Sequence, residues 1–155
     1  MNKIQLRFYM SLLEKRTGVC SQQYDNQDKH MLLWDFDYLN LDDIIESLEK
    51  VQQDYNLPSI YVIKSSPDSY HAYCFMSRSF RETINIISAT TTVDMAYLRL
   101  GIVRGYFTLR ITPRTGEPDF ELVKILTSGF INEMLLDAMT INEYWTSNRG
   151  GKHNA

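Results

Sequence analysis

Asp35 and Asp37 stand one residue apart in Met31 to Tyr38, MLLWDFDY, an otherwise apolar and aromatic run. In an extended strand successive side chains leave opposite faces, so both carboxylates share one surface while Trp34, Phe36 and Tyr38 take the other. One face is suited to packing and the other to holding a cation. Strands disfavour aspartate, and two neighbouring carboxylates repel, so the pair is costly unless a metal ion or a strong donor sits between them. The competing reading is a strand end whose acids face water.

The residues that could complete such a site come from later elements. Ser59 to Ser66, SIYVIKSS, predicts a strand, Pro67 to Ser69 a turn, and Tyr70 to Met76, YHAYCFM, the returning strand of a hairpin. His71, Tyr73 and Phe75 then share one face, with Ala72 and Cys74 on the buried side. Tyr106 to Thr112, YFTLRIT, alternates, with Phe107, Leu109 and Ile111 on one face and Tyr106, Thr108, Arg110 and Thr112 on the other. With Trp34 and Phe36 packed under helices, His71 and Arg110 join Asp35 and Asp37 on an open sheet face. Two carboxylates, an imidazole and a guanidinium suit a metal-bound polyphosphate, the acids holding Mg²⁺ or Mn²⁺ and the His and Arg contacting phosphate oxygens. Taken singly, His71 reads as a hydrogen-bonded surface residue and Arg110 as a solvated strand charge. Lys64, Ser65 and Ser66, beside the hairpin, could add contacts.

Helices are needed to carry these strands. Asn40 can cap a helix running to about Asn56, with Ile44, Ile45, Leu48, Val51 and Tyr55 at helical spacing, and Pro58 stops it. Ser79 and Glu82 form a capping box for a second helix bearing Phe80, Ile84 and Ile87. Thr91 to Gly101 is ambiguous, with a short helix as one reading. Pro113, Gly116 and Pro118 break the chain before a helical C-terminal segment. The order strand, helix, strand, strand, helix, strand is the α+β, ferredoxin-like or RRM-like βαββαβ plan: an antiparallel sheet with helices on one face. Ile4 to Arg16 and the C-terminal helices are then additions to it.

At 155 residues the chain has room for one ordinary core, so residues 1–148 read as a single domain and 149–155, NRGGKHNA from Asn148 on, as a disordered tail. A net charge of -3 supplies no global basic footprint, so any nucleic-acid role must come from a local site. Cys20 and Cys74 lack metal spacing and point to a reduced, cytoplasmic protein, and no apolar run is long enough to enter a membrane as a span.

These residues resemble the archaeo-eukaryotic primase superfamily, which includes primase-polymerases of plasmids, phages and archaeal viruses. That family has a hydrophobic strand with Asp-x-Asp or Asp-x-Glu, then a small-x-His motif on a hairpin, then a further acid. Trp34-Asp35-Phe36-Asp37 is similar to the first motif and Ser69-Tyr70-His71 to the second, and the resemblance spans roughly Met31 to Arg114. It implies that Asp35 and Asp37 bind catalytic metals and that His71 contacts the phosphates of a nucleoside triphosphate, with Arg110, Lys64, Ser65 and Ser69 nearby. It also implies a single-stranded nucleic-acid template, a role in DNA replication, and a helicase or other replication protein as partner. The third motif departs from the family, because YFTLRIT offers Arg110 where a carboxylate is usual. Asp94, in TTVDMAYLRLG, is the nearest substitute as a metal ligand. Its alternative role is a helix N-terminal acid following a Thr cap.

Other classes fit less well. LLWDFDYLN resembles the nucleophile loop of haloacid-dehalogenase phosphatases, but Tyr38-Leu39 replaces the Gly-Thr turn and no later paired-acid motif appears. A rolling-circle nickase needs His-x-His, and His30, His71 and His153 are widely spaced. A catalytically degenerate, RRM-like nucleic-acid-binding module would stack bases on Tyr73, Phe75 or Tyr106. Two acids in mid-sheet would repel its phosphates.

Overall fold

The computed structural model describes residues 13–114, 116–130 and 139–147. Among these residues it is an α+β fold, an antiparallel sheet with three helices. The strands are β1 (Leu13–Gln23), β2 (Lys29–Asp37), β3 (Ile60–Ser66), β4 (Ser69–Ser79), β5 (Thr108–Arg110), β6 (Glu121–Leu126) and β7 (Met139–Ser147). The helices are α1 (Leu41–Asp54), α2 (Phe80–Ala89) and α3 (Met95–Arg104). The sheet runs β5-β1-β2-β4-β3-β6, with β7 on β1.

β1 departs from the expectation of an N-terminal addition lying over the sheet or its edge. It sits inside the sheet, between β5 and β2, and at Gly18 to Cys20 it carries β5 and β7 as neighbours. Its pairing with β2 is confined to Gln22 and His30, so most of that edge of β2 is left for something else. Residues 1–12 lie outside the described residues. Among the described residues, the C-terminal segment expected to be helical after Pro118 forms β6 and β7, and residues 131–138 between them lie outside the described residues. Glu121 to Leu126, ELVKIL, suits a strand against β3, and a partner strand satisfies its backbone where helix propensity would not decide. The expected tail, 149–155, lies outside the described residues.

Local signals elsewhere produce the elements they imply. Asn40 caps α1, accepting from the Asp43 amide at 2.9 Å, and α1 ends two residues before Asn56, which turns left-handed at φ 51°. Ser79 and Glu82 make the reciprocal capping box of α2. Ile44, Leu48 and Val51 of α1 and Ile86 and Ile87 of α2 join Trp34 and Phe36 in one buried cluster. Trp34 Nε1 donates to Thr90 Oγ1 at 2.9 Å, tying β2 to the end of α2, and Ser47 of α1 meets Thr91 at 3.1 Å. Cys20 and Cys74 are buried thiols, both pushed up by burial, Cys74 to about 12, which keeps them protonated and inert. His30 is a structural histidine: it shares Ser21 Oγ, at 2.9 Å, with the amide of Phe107.

Two strand readings need correction. Met31, Leu32, Leu33 and Trp34 are all fully buried, so β2 is covered on both faces over this stretch, and its acids become accessible at the C-terminal end, at Asp35 and Asp37. Tyr38 does not share the packed side of Trp34 and Phe36. It leaves the strand at φ 60° with 87% of its surface exposed. A left-handed tyrosine with no packing in return is strained. Replacing Tyr38 with Gly is therefore expected to stabilise the protein by about 1 kcal/mol, read by chemical denaturation. A loss of stability would mean that the ring contributes packing this exposure does not reveal.

Candidate metal centre

The open end of β2 is built by three segments. Asp35 pairs across the sheet with His71, and Asp37 with Ser69, both on β4. β3 extends these rows with Ile63 opposite His71 and Ser66 opposite Ser69. The third segment is the loop entering α3. Because β1 leaves β2 after one pair, the edge carbonyls of Leu33 and Asp35 need other donors. Tyr97 Oη donates to the Leu33 carbonyl at 3.0 Å, and the Asp94 amide donates to the Asp35 carbonyl at 2.9 Å. Docking the helix on that edge brings the Asp94 side chain beside the strand acids.

Carboxylate oxygens of Asp35, Asp37 and Asp94 consequently lie within 4.8 Å of one another. Asp37 is exposed, whereas Asp35 and Asp94 are partly covered. Asp94 joins the other two acids, and it also caps α3, accepting from the Ala96 amide at 2.8 Å. The cap is Asp94 itself rather than a preceding threonine. Three hard oxygen donors grouped in this way have the donor chemistry of a Mg²⁺ or Mn²⁺ site.

The face expected to be open is covered. His71 is buried, with Nε2 3.5 Å from Asp35 Oδ1 and Nδ1 3.4 Å from the Tyr73 hydroxyl. The segment between β5 and β6 folds over it, and Phe120 meets the imidazole edge-on at 5.6 Å. Arg110 does not project into solvent either. Its guanidinium lies over Phe120, 4.9 Å from the ring centre, and donates to the carbonyls of Thr112 at 2.8 Å and Ser65 at 3.3 Å. Glu117 stands 3.9 Å from it and 3.4 Å from Arg114. Ser65 and Ser66 are buried, and Ser65 Oγ has no hydrogen-bond partner among the described residues. Ser69 and Lys64 remain partly exposed, Ser69 directly across from Asp37.

Phe120, Glu117 and Tyr97 were not legible as site residues, because each reaches the acids or their neighbours through a loop closure that no local pattern encodes. Proline and glycine in Pro113 to Pro118 signal a turn, and its direction back over β4 is a tertiary outcome.

Electrostatics single out Asp35. Burial, then the charges of Asp37 and Asp94, raise its carboxyl from 3.8 to about 7 against the opposing pull of Arg110. His71 moves the other way, from 6.5 to about 3, through burial and the Arg110 and Arg114 charges. The proton of this pair therefore rests on the carboxyl near neutrality rather than on the imidazole.

The two shifts oppose each other in stability. Between 3.8 and about 7 the folded chain keeps a proton on Asp35 that the unfolded chain has released, so this group's stabilisation is lost as pH rises. Between about 3 and 6.5 the unfolded chain binds a proton that folded His71 refuses, so its contribution is lost as pH falls. Over pH 4 to 6, without divalent metal, Asp35→Asn should gain stability relative to wild type as pH rises, and His71→Gln should lose it. Denaturant titrations at several pH values check this, and parallel curves for the three proteins would contradict it.

No family model, curated protein or solved structure matches this chain. Among the described residues no helix is long and apolar enough to cross a membrane.

Proposed function

We propose that this chain is a metal-dependent nucleotidyltransferase of the primase and polymerase type. The observation that carries the reading is the convergence of Asp35, Asp37 and Asp94, from a strand and a distant helix cap, within 4.8 Å. The proton held by Asp35 to about 7 supports it, because uncompensated negative charge is what a divalent cation relieves. Bound there, Mg²⁺ or Mn²⁺ would neutralise the triphosphate and lower the pKa of an attacking 3′-hydroxyl. The residues of the chain then have distinct parts. Asp35, Asp37 and Asp94 supply the carboxylate ligands, and His71 holds Asp35 from behind. Ser69, partly exposed and directly across from Asp37, is the group best placed to meet phosphate oxygens, whereas Lys64 lies in the Phe36–Tyr70 row, two strands from β2. Arg110, engaged with backbone carbonyls and Phe120, lends its charge without leaving them.

The architecture supports the same reading. β2, α1, β3, β4 and α2 follow in the ferredoxin-like order, and β2-β4-β3 are neighbours as the first, third and second strands of that plan. β5 takes the fourth strand's place in the sequence order, with β1 inserted between it and β2. The RRM-like binding alternative loses one of its three aromatics, since Tyr73 is buried and its hydroxyl meets His71, while Phe75 and Tyr106 stay partly exposed.

The test is incorporation of labelled nucleotides with Mn²⁺ on primed and unprimed single-stranded templates, with and without a replicative helicase. Metal-dependent incorporation is the expected result, together with triphosphates binding more tightly than monophosphates and little preference among bases. Absence of incorporation on every template, with single-strand binding intact, would replace the enzyme by a replication-associated binding module.

A further inference from the structure

α3 buries one side and leaves the other without a partner among the described residues. Leu98 and Gly101 are buried, while Met95, Leu100, Ile102 and Val103 are exposed, Val103 at 83%. At about 100° per residue, Met95, Arg99 and Val103 form one row and Ala96 and Leu100 the row beside it, with Ile102 and Arg104 at the margins. Ala96, Arg99 and Arg104 are exposed as well. Neither Arg99 nor Arg104 has an ion pair or hydrogen bond among the described residues. From Met95 to Gly116 the chain carries Arg99, Arg104, Arg110 and Arg114 and no acid, within a protein of net charge -3.

We infer that the outer face of α3 docks an acidic, amphipathic helical segment of another protein. The aliphatic rows accept apolar anchors at i, i+3 or i+4, and i+7, and acids flanking those anchors meet Arg99 and Arg104. A second copy of this chain fits poorly, because a two-fold contact through α3 would set the same arginines against each other. An anionic bilayer fits poorly because Asp94, at the head of the helix and beside Asp35 and Asp37, would be pressed toward like charge. Single-stranded nucleic acid is read by aromatic stacking, and the exposed apolar side chains of this helix are aliphatic or thioether. This assignment does not depend on the activity proposed above.

The experiment is selection on the intact protein from a displayed library of helical peptides of unbiased charge. The enriched peptides should carry Leu or Ile at helical spacing flanked by Asp or Glu. Val103→Glu and Leu100→Glu, both at exposed positions that tolerate charge, should weaken them at least tenfold with an unchanged circular-dichroism spectrum. Arg99→Glu should shift preference toward Lys-flanked peptides. The inference is overturned by neutral or basic winners, by no enrichment, or by winners indifferent to Val103→Glu. It is equally overturned by a dimer in sedimentation that Val103→Glu dissociates, or by binding to anionic vesicles that the same variant abolishes.

Discussion

Asp94→Asn is expected to abolish the proposed metal-dependent nucleotide incorporation as fully as Asp35→Asn, each by roughly 10³-fold or more, because residues that act as one metal-holding unit fail together. The substitution is unusually clean. Asn caps a helix as well as Asp does, so the bond to the Ala96 amide survives while the charge that faces Asp35 disappears. Asp94→Ala, by contrast, also removes the cap and should cost about 1 kcal/mol of stability. Calorimetric titration with Mn²⁺ supplies the companion measurement: wild-type affinity retained by Asp94→Asn would remove this residue from the site. Loss of binding with incorporation intact would remove the metal from the mechanism. In the absence of metal, removing either neighbour's charge should lower the Asp35 carboxyl below about 7, visible in the pH dependence of stability.

A second large effect is expected at a residue with no functional group. Gly101 faces the ring of Phe107, and a Cβ placed there would lie 2.2 Å from two of its carbons. Phe107 is itself buried, between Tyr97 at 5.3 Å and Phe80 at 6.0 Å, so the ring cannot swing clear and α3 must lift instead. Gly101→Ala should therefore cost about 3 kcal/mol, toward the upper end for an overpacked core. It should also weaken Mn²⁺ binding, since the lifted helix draws Tyr97 from the Leu33 carbonyl and Asp94 from that of Asp35. Metal affinity unchanged in a destabilised Gly101→Ala protein would show that Asp94 is held by its loop alone. Recovery of both properties in a Gly101→Ala, Phe107→Leu double variant would locate the cause in this contact.

What the sequence determined by itself was local. The alternation in LLWDFD put Asp35 and Asp37 together and Trp34 and Phe36 in the core, the Asn40 and Ser79 caps set two helix starts, and the hairpin turn returned β4 along β3 with His71 opposite Ile63. Each of these follows from side-chain period or hydrogen bonding within a few residues. Tertiary structure decided the rest. Asp94 could be read as a ligand or as a helix N-terminal acid after a threonine cap, and docking of α3 on the edge carbonyls that β1 leaves free made it the cap itself and a neighbour of the other acids. Arg110 and His71 alternate outward in their strands as expected, yet Phe120 and the turn before it cover them, and a period of two says nothing about what later folds over a face. ELVKIL became a strand for the same reason: β3 offered it an unpaired edge, and satisfying a row of backbone groups outweighed its own helical preference.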